Sequence, residues 1–420
     1  MKILFLSENF PPETNAAATR VYERACYWAE WGHEVTVITC APNFPGGHLF
    51  AGYQNRWRQT EEMSGIKVVR VKTYIAPNRD VVRRTLDFLS FMVTGFLAGI
   101  GQPRPDVVAA TSPQFFSAVA GWAVGAFRRV PFVFELGDLW PASIAAVGAM
   151  GRNPALKVVE AMELFLYRRS AAVAALTRSF KDDLVGRGIA GDKIAVVING
   201  VDLPRYEPQT RDTALAREWG LEGKIVFGYV GTQGMAHALG NVLDAASQVR
   251  DVTDVRFVLA GGGAERDGLI AQASQRNLDN VIFIPPLPKE RMPAIWSLCD
   301  VALVHLKDSP VFAGVIPSKI FEAMGMGLPV LLAAPEGEAS RIVTARKAGL
   351  HVGAEDPVAL AEAVRNLAKD GALRKSLSEN SLAAAPLYSR ERQAREMLEV
   401  LRFAASGEGA QAGRRVEGVG

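Results

Sequence analysis

The sequence is poor in cysteine, has no apolar run long enough to cross a membrane, and lacks glycine in its first strand-to-helix loop. Cys26, Cys40 and Cys299 are the only cysteines. Their odd number and wide spacing exclude both a disulfide framework and a cysteine metal cluster. We therefore expect a reducing, cytoplasmic setting and no bound metal. The apolar segment after Met1-Lys2 is too short for a signal peptide, so we interpret it as a first buried strand.

The longest apolar run spans residues 86–100 and is interrupted by Asp87. It falls short of the roughly 20 apolar residues that a helix needs to cross a bilayer. Arg79, Arg83 and Arg84 precede it, and a basic cluster beside an apolar helix can dock on anionic lipid headgroups. A helix buried against a sheet explains the same run, so both interpretations stay open.

The charge is nearly balanced. The net charge is +3, and residues 1–200 hold 22 Lys and Arg against 17 Asp and Glu. This excess is too small to indicate nucleic-acid binding. It suits a first half of the chain that lies near an anionic surface.

Short apolar strands alternate with helical patterns along the chain, which is typical of parallel βαβ units. A length of 420 residues favours two domains, because one domain holds ~100 to 200 residues. Pro204 and Pro208 interrupt the alternation and predict a linker. The predicted strands cover residues 2–7, 35–40, 67–71, 107–111, 132–136, 172–176 and 194–198 before the linker, and 225–230, 255–260, 281–284, 301–304 and 330–333 after it.

The sequence thus predicts an α/β protein of two doubly wound sheets in tandem. If the two domains close on a ligand, the carboxyl ends of their strands face each other across a cleft, which is then the expected site. The tail, residues 406–420, is rich in Gly, Ala and Arg and is predicted to be disordered.

Lys319 and Glu322 lie at the start of a predicted helix in the stretch Pro-Ser-Lys-Ile-Phe-Glu-Ala-Met-Gly. Because they are three residues apart, they share one helix face. A cation that meets phosphate, beside a carboxylate that accepts two hydroxyl hydrogen bonds, suits a nucleoside diphosphate. An ordinary charged helix face in a βα unit is the alternative.

The loop after the first strand, residues 7–20, has no glycine where a dinucleotide-binding protein has Gly-x-Gly-x-x-Gly. This absence argues against a dinucleotide cofactor. Thr14 or Asn15 can cap the next helix, and Arg20, one turn in, can hold a phosphate. We assign Asn15 and Arg20 to acceptor binding; a plain capped helix with an exposed arginine is an equally good interpretation.

Glu135 and Asp138 follow the strand at residues 132–136 and precede Trp140. Sugars stack on aromatic rings while carboxylates bind their hydroxyls. We therefore assign Asp138, and Glu135 second, as the catalytic carboxylates, without giving either the role of nucleophile. Trp140 and Gln114, the latter in an equivalent loop, are assigned to acceptor binding. Helix capping by Asp138 is the alternative.

Gly231, Thr232 and Gly234 form a turn after the first strand of the second domain, and His237 follows. Glycines in such a turn let backbone N–H groups reach an anionic oxygen. His237 can donate to phosphate, although a lone surface histidine is usually unremarkable. We assign all four residues to donor binding.

Two further loops end strands of the second domain. Gly261-Gly262-Gly263 follows the next strand, and a simple flexible turn is the preferred interpretation for at least one of these glycines. Pro286 and Leu287 belong to a stiff proline-rich loop whose carbonyls can read a base edge.

Taken in order, these motifs resemble the family 4 glycosyltransferases of GT-B fold, and more narrowly the branch that includes the N-acetyl-L-fucosamine transferases of O-antigen synthesis. The resemblance covers nearly the whole chain. It rests on Phe-Pro-Pro at 10–12, Gly-His-Glu-Val-Thr-Val at 32–37, Asp-Leu-Trp-Pro at 138–141, Asn-Gly-Val-Asp at 199–202, Gly-Thr at 231–232, Pro-Ser-Lys at 317–319 and Glu-Ala at 322–323.

The resemblance implies retaining transfer of a sugar from a nucleotide donor, without a metal, in a cleft between two Rossmann-like domains. It implies that Glu322 holds the ribose hydroxyls, Lys319 the diphosphate, and the backbone of Pro286 and Leu287 the base. It also implies that the last helix, residues 388–405, returns to the first domain. The domains are then 1–203 with that helix, and 204–387.

The diphosphate site departs from the family pattern. Gly314 stands eight residues before Glu322, where many relatives have a second glutamate. Thr232 and a position near Leu239 align with the arginine and lysine that usually clamp the diphosphate. Lys319, with His237 and the amides of residues 231–234, must then stabilise that charge.

The first domain departs from the pattern as well. Gly137 replaces the arginine that usually precedes Asp-Leu-Trp-Pro, and Thr111 falls near the catalytic histidine of several relatives. A threonine cannot serve as an acid or base, so the catalytic assignments in this domain depend on Asp138 and Glu135.

Together with the residues above, the resemblance implies a retaining, metal-independent glycosyltransferase without a cofactor. We expect its donor to be a UDP-sugar whose sugar is an N-acetylated deoxyhexosamine. We expect its acceptor to be a polyprenyl-diphosphate-linked saccharide at the anionic inner face of the cytoplasmic membrane. A UDP-sugar 2-epimerase of similar architecture is one alternative, although Glu135 and Asp138 are few acid and base groups for it. A non-catalytic nucleotide-sugar or glycan-binding protein is the other, and Gly314 and Gly137 make it less improbable.

Overall fold

The computed structural model describes residues 1–44, 46–76, 81–112, 115–139 and 154–407, with the backbone alone for residues 81–82 and 154–156. The chain divides into two compact units. The first comprises Met1–Asn199 and the segment from Arg390 onward, and the second comprises Gly200–Ser389. The predicted domain boundaries, after residues 203 and 387, lie close to these. The predicted disordered tail falls almost entirely outside the described residues.

The first unit is built on one eight-stranded sheet. Its strands are β1 Lys2–Leu6, β2 Glu34–Cys40, β3 Arg58–Met63, β4 Ile66–Val71, β5 Val107–Thr111, β6 Phe132–Leu136, β7 Ala172–Ala175 and β8 Ile194–Val196. Their order across the sheet is β3-β4-β2-β1-β5-β6-β7-β8. All neighbouring pairs are parallel except β3 with β4.

Helices cover both faces of this sheet. They are α1 Ala16–Glu30, α2 Val81–Ile100, α3 Phe115–Arg128, α4 Pro154–Arg169, α5 Arg178–Gly186 and α15 Arg390–Ser406. Side chains of a strand point alternately to the two faces, so Ile3 and Phe5 join the core with α1 and α15. Leu4 and Leu6 join the core on the other face, with α2 and α3. Burial on both faces explains why these strands read as continuous apolar runs.

The C-terminal helix α15 belongs to the first unit. Trp28 of α1 is fully buried, and its Nε1 donates to Ala394 O at 2.9 Å. Arg390 Nε lies 2.8 Å from Glu23 Oε2 in a buried ion pair. The helix therefore packs on α1, although 190 residues of the second unit separate it from the rest of the first.

Helix α2 has one buried and one exposed apolar face. Phe91 is fully buried, and a Cβ atom on Gly99 would lie 2.6 Å from Val124 Cγ2 of α3. The exposed face carries three large apolar side chains: Leu86, Val93 and Leu97, which are 48%, 52% and 56% exposed. The helix thus packs on its own unit and still has an apolar surface stripe. Within the described residues no helix is long and apolar enough to cross a membrane.

The basic cluster before this helix is smaller than expected. Arg84 is 8% exposed, because it lies 2.7 Å from Asp87 Oδ2 and 3.6 Å from Glu8 Oε1. Arg79 lies outside the described residues, while Arg83 is exposed. Burial raises the pKa of Asp87 to about 6 although Arg84 lowers it. Arg84 therefore neutralises buried carboxylates and does not face the solvent.

The second unit is built on a six-stranded parallel sheet. Its strands are β9 Ile225–Val230, β10 Val255–Ala260, β11 Val281–Ile284, β12 Val301–His305, β13 Val330–Ala333 and β14 Gly349–Val352. Their order is β11-β10-β9-β12-β13-β14, the Rossmann order 3-2-1-4-5-6. The helices are α6 Thr213–Glu218, α7 Gly240–Gln248, α8 Arg266–Gln275, α9 Met292–Ser297, α10 Pro310–Ala313, α11 Lys319–Gly325, α12 Glu338–Ala345, α13 Pro357–Lys369 and α14 Gly371–Ala384.

Two strands were not expected from the sequence. β3 reads Arg-Gln-Thr-Glu-Glu-Met and pairs antiparallel with β4 at the sheet edge, where charged side chains reach water. β14 is four residues long and forms the other sheet's edge beside β13. Edge strands need no continuous apolar run, so a search for apolar runs does not find them.

Candidate functional site

The carboxyl edge of the second sheet has a point at which the strand order reverses. The chain runs outward from β9 through β10 to β11 and then returns to the other side of β9 with β12. Because the connections after β9 and β12 diverge, a crevice forms between them, and doubly wound sheets bind ligands there. Gly231 follows β9 and His305 ends β12, so both residues lie at this point.

Three glycines let the loops at this edge approach each other backbone to backbone. Gly231, Gly261 and Gly263 have φ values of +140°, +127° and +153°, which other residues disfavour. A Cβ atom on Gly261 would lie 2.2 Å from Gly231 O, and one on Gly263 would lie 2.1 Å from Gln233 O. At Gly262 a Cβ atom would make ordinary contacts, so the flexible-turn interpretation fits Gly262 and neither of its neighbours.

Two amides of the turn after β9 are used within the protein. Gly231 N donates to Ala260 O at 2.9 Å, and Gln233 N donates to Gly262 O at 2.8 Å. The expectation that the Gly231 amide faces a phosphate is therefore wrong, because this amide joins the turn to the end of β10. Thr232 is exposed and Gly234 is half-buried, and they stay predicted contacts of the donor.

Lys319 reaches from the first residue of α11 to the end of β9. The side chain is buried, with 8% of the residue exposed. Its Nζ lies 3.5 Å from the centroid of the Tyr229 ring and 3.1 Å from where a Gly231 Cβ atom would be. Among the described residues this Nζ has no hydrogen-bond partner. An ammonium group has three donors, so all three are unsatisfied at the sheet's reversal point.

Burial lowers the pKa of Lys319 to about 7, and the nearby carboxylate of Glu322 raises it only in part. A buried cation without a hydrogen bond costs free energy. Such a cost is typical of a group whose partner is a ligand rather than a neighbour in the fold.

Glu322 lies one turn after Lys319 and is half-buried. Its Oε2 accepts a hydrogen bond from Trp296 Nε1 of α9 at 3.2 Å, and the Trp296 ring is fully buried. The tryptophan therefore fixes the direction of the carboxylate. The sequence did not indicate Trp296 as a site residue, because the apolar segment around it is typical of a helix in the protein core.

His237 packs against the same ring as Lys319, with ring centroids of His237 and Tyr229 5.7 Å apart. Burial, and then the charge of Lys319, lowers the pKa of His237 to about 4, so the imidazole is neutral at neutral pH. Its Nδ1 lies 3.3 Å from His305 O, and a carbonyl oxygen can only accept. Nε2 is then an acceptor in this arrangement, so His237 can donate from Nε2 to a phosphate only when the ring is protonated, and this contact stays a prediction.

His305 was not expected at the site. It is fully buried, and its Nε2 lies 2.7 Å from Asn241 Nδ2. Since the amide nitrogen donates, Nε2 accepts and Nδ1 carries the proton. Nδ1 is buried without a hydrogen-bond partner within the described residues. In the sequence His305 ends an apolar strand, and no pattern of neighbouring residues indicated that it would lie at the site.

The remaining predicted donor residues lie around the edge of this site. Pro286 is exposed and Leu287 half-buried in the loop after β11, and Pro286 Cγ lies 3.4 Å from where a Gly262 Cβ atom would be. Gly314 ends α10 with a φ of −86°. Many relatives have glutamates at the positions of both Gly314 and Glu322. In this chain only the second position carries a carboxylate.

Glu135 at the end of β6 is paired on both oxygens. Arg20 Nε lies 2.8 Å from Oε1, and Arg24 Nη2 lies 2.8 Å from Oε2. Burial alone would raise the pKa of Glu135, but Arg24 and Arg20 hold it at about 2. The residue is 1% exposed. Glu135 therefore orients Arg20 and Arg24 and, in this arrangement, cannot be the second catalytic carboxylate that the sequence suggested.

Arg20 is buried, and its guanidinium group is held by hydrogen bonds. Its Nη2 donates to Thr111 Oγ1 at 3.1 Å, and only 4% of the residue is exposed, whereas the sequence alternative was an exposed arginine. A Cβ atom on Gly137 would lie 2.7 Å from Arg20 Nη2. The guanidinium thus occupies the space that a side chain at 137 would need, which explains the glycine.

The other predicted residues of the first unit are only partly described. Asn15 caps α1, with its Oδ1 accepting from Ala18 N at 3.0 Å. Asp138 is half-buried three residues after Glu135. Gln114 and Trp140, assigned to acceptor binding, lie outside the described residues.

Each unit matches the model of a known protein family. The family model described as "Glycosyl transferase 4-like domain" matches residues 15–200, and the one described as "Glycosyl transferases group 1" matches residues 212–383. This chain is a glycosyltransferase. The glycosyltransferase thus has a family-4-like domain in its first unit and a group 1 domain in its second.

Individual relatives agree with this assignment. The putative colanic acid biosynthesis glycosyl transferase WcaI of Escherichia coli K12 is 27% identical over 337 residues, which cover 78% of this chain and 82% of that protein. Sucrose-phosphate synthase from Thermosynechococcus elongatus has a TM-score of 0.77 at 19% identity, over 97% of this chain and 100% of that one. HepE from Anabaena, solved in complex with UDP-glucose, has a TM-score of 0.71 at 18% identity, over 96% and 99%. The glycosyltransferase thus has the GT-B fold of two doubly wound domains.

We expect Gly261→Ala to lower the free energy of unfolding by about 2 to 3 kcal/mol, because the new Cβ atom would overlap a backbone oxygen. Gly268→Ala is the matched control, since nothing lies within 4 Å of a Cβ atom there. It should raise stability by about 0.5 to 1 kcal/mol. Denaturant unfolding of both variants measures the difference, and equal stabilities would show that the loop simply relaxes.

We expect Lys319→Met to stabilise the protein by about 1 to 3 kcal/mol near pH 7, because it removes a buried, unpaired amine. The folded-state pKa of about 7 lies below the unfolded value of about 10.4. Unfolding therefore takes up a proton between these values, and the wild type gains stability as pH rises. The advantage of the variant should shrink between about pH 7 and pH 10.

Unfolding free energies of wild type and Lys319→Met across this range measure the effect. Lys375→Met is the control, since the Lys375 side chain is 80% exposed, and it should show no such trend. A constant gap between wild type and Lys319→Met would contradict the burial of a titrating amine.

Proposed function

We propose that this glycosyltransferase transfers a sugar, an N-acetylated deoxyhexosamine, from a UDP-sugar to a polyprenyl-diphosphate-linked saccharide during surface-polysaccharide synthesis. The transfer proceeds with retention and without a metal or other cofactor. The reaction takes place at the inner face of the cytoplasmic membrane. The family assignment, rather than an epimerase or a non-catalytic binding protein, is the starting point of this proposal.

The observation that carries the nucleotide-sugar part is the buried Nζ of Lys319 at the reversal point of the second sheet, which has no hydrogen-bond partner within the described part of the chain. Glu322, held by Trp296, lies one turn away on the same helix face. A diphosphate supplies acceptors for the three N–H donors, and a ribose supplies two hydroxyl donors for the carboxylate. HepE, which shares this fold, was solved with UDP-glucose, and that likeness supports UDP as the nucleotide.

Breaking the bond between the anomeric carbon and the diphosphate oxygen leaves negative charge on the diphosphate. A cation already placed in a water-poor site stabilises that charge without reorganising. Binding of the dianionic diphosphate also favours the charged form of Lys319 and raises its pKa from about 7. Lys319 then supplies the positive charge beside the leaving diphosphate.

The carboxylates have unequal roles in this proposal. Asp138 is half-buried at the end of β6 and stays the proposed partner of sugar hydroxyls. Glu135 is closed to the sugar by Arg20 and Arg24. With Glu135 enclosed, a retaining reaction on one face of the sugar without a protein nucleophile fits the described part of the site.

We expect Lys319→Ala to lower turnover more than tenfold while the protein stays folded, because one charged contact to a leaving group contributes about 1.5 to 3 kcal/mol. UDP release from a panel of UDP-N-acetylhexosamines, with GDP-sugars alongside, measures activity and donor class. Lys375→Ala, at an exposed position of the same unit, should be unaffected. A folded Lys319→Ala protein with normal kinetics would contradict the proposal.

The proposed membrane contact is the exposed stripe of α2. Leu86, Val93 and Leu97 are seven and four residues apart, so they share one helix face. Each is about half exposed, and Arg83 at the start of the helix is exposed beside them. An apolar stripe next to a cation suits anionic headgroups.

Exposed aromatic residues of the same unit support this proposal. Tyr74 N donates to Ser90 Oγ of α2 at 2.7 Å, which places the half-exposed Tyr74 beside the stripe. Trp57 is 73% exposed, and Lys72 Nζ lies 5.0 Å from its ring centroid. Tryptophan, tyrosine and lysine are the residues that favour the headgroup layer of a membrane.

We expect the triple variant Leu86→Ser, Val93→Ser, Leu97→Ser to bind anionic phosphatidylglycerol vesicles at least tenfold more weakly than wild type, because about half of each apolar side chain loses its lipid contact. Val358→Ser is the matched control, since Val358 is 56% exposed on the second unit. Vesicle co-sedimentation measures binding. A wild-type protein that stays in the supernatant, or an equal loss in the control, would contradict the membrane contact.

A further inference from the structure

The Lys319 ammonium group rests on an aromatic ring rather than on an acid. Its Nζ lies 3.5 Å from the centroid of Tyr229, and Tyr229 itself is fully buried as the fifth residue of β9. A cation over the face of a ring is attracted by the ring's quadrupole, most strongly where water is excluded. The contact therefore favours the charged form of the amine and fixes its position.

The Tyr229 ring is itself held in place. Its hydroxyl donates to Thr232 O at 2.6 Å, and β9 pairs with β10 on one side and β12 on the other. Tyr229 thus lies on a strand inside the sheet, and its hydroxyl holds the turn that follows this strand. The two parts of this side chain can be tested separately.

The ring contact leaves the amine's hydrogen bonds open. A face-on ring satisfies charge but accepts no full N–H hydrogen bond of ordinary strength, and Nζ has no hydrogen-bond partner among the described residues. A carboxylate in the ring's place would compete with a phosphate for the same donors. The ring holds the cation without this competition.

Among the residues that the structure describes, four groups that titrate or carry charge interact with this amine. Glu322 comes from its own helix, Tyr229 from β9, His237 from the turn after β9, and His305 from β12. Both histidines have a pKa of about 4 because of burial, and burial raises the pKa of Tyr229 above its ordinary value. Between pH 6.5 and pH 9, none of these three changes its charge.

We propose that the Tyr229 ring is a platform that keeps the Lys319 amine charged and directed at the donor diphosphate, which makes Tyr229 a positioning residue for donor binding. This inference rests on the proposed nucleotide-sugar function. The ammonium group lies between the ring face and the diphosphate, and the ring contact persists when the nucleotide binds.

The pH dependence of UDP binding tests this platform. UDP affinity of the wild type should fall as pH rises from about 6.5 to 9, because the amine loses its proton. Lys319→Met should bind weakly with no such fall. Tyr229→Leu removes the ring, so the midpoint of the fall should move down by about one pH unit, with about tenfold weaker binding at pH 8. Tyr229→Phe keeps the ring and should retain the wild-type midpoint.

Calorimetric titration with UDP, and with GDP in parallel, measures these midpoints, and thermal unfolding checks that each variant folds. A wild type that binds neither nucleotide would overturn the proposed function. A wild type that binds UDP with the expected fall, but with the same midpoint in Tyr229→Leu and Tyr229→Phe, would overturn the platform alone.

A spectroscopic measurement needs no ligand and no ring-deleted variant. The Lys319 ε-carbon is bonded to the Nζ that lies 3.5 Å from the Tyr229 ring centroid, so we expect the resonance of its protons to be shifted upfield in the wild type and in Tyr229→Phe. The resonance is identified by its loss in Lys319→Met. An unshifted Lys319 resonance would overturn the platform whatever the outcome with UDP.

Discussion

The predicted donor site of the second unit is organised around one contact, that of the Lys319 amine with the end of β9. The amine fits there because Gly231 has no side chain, and Gly231 keeps its backbone position because Gly261 lets the neighbouring loop approach to its carbonyl. Gly263 does the same against Gln233. Loops that pack backbone to backbone are stiff. The fold therefore holds a desolvated amine at the reversal point of the sheet, where it has no hydrogen-bond partner among the residues that the structure describes.

In the first unit, by contrast, several buried charges form ion pairs. Glu135 forms ion pairs with Arg20 and Arg24 at the carboxyl end of β6, and Arg84 forms ion pairs with Asp87 and Glu8. Breaking a buried pair leaves an uncompensated charge, so these residues hold loops in place. Buried charges with ion-pair partners support the structure. The Lys319 amine has no hydrogen-bond partner in the part of the chain that the structure describes, and it is the group that we propose for the ligand.

Most of the fold could be predicted from apolar runs and their alternation with helices. β5, β6, β9, β10, β11 and β13 begin and end where the sequence placed them, because strands buried on both faces are continuously apolar. The polar edge strand β3 and the short edge strand β14 could not be found in this way. In the site, Lys319 and Glu322 were recognised from their spacing. Tyr229, Trp296 and His305 were not, because each lies in an apolar segment and its partner is distant in the sequence.

The sequence by itself determined the class of the fold, its division into two parts and the pair of charged residues on α11. These follow from local patterns, namely apolar period, helix spacing and the place of proline and glycine. The tertiary structure decided which charges are paired. It closed Glu135 between two arginines, made His237 an acceptor by directing its Nδ1 at a carbonyl oxygen, and set Lys319 on an aromatic ring. Pairing and desolvation depend on distances between residues far apart in the chain, and no local pattern encodes those distances.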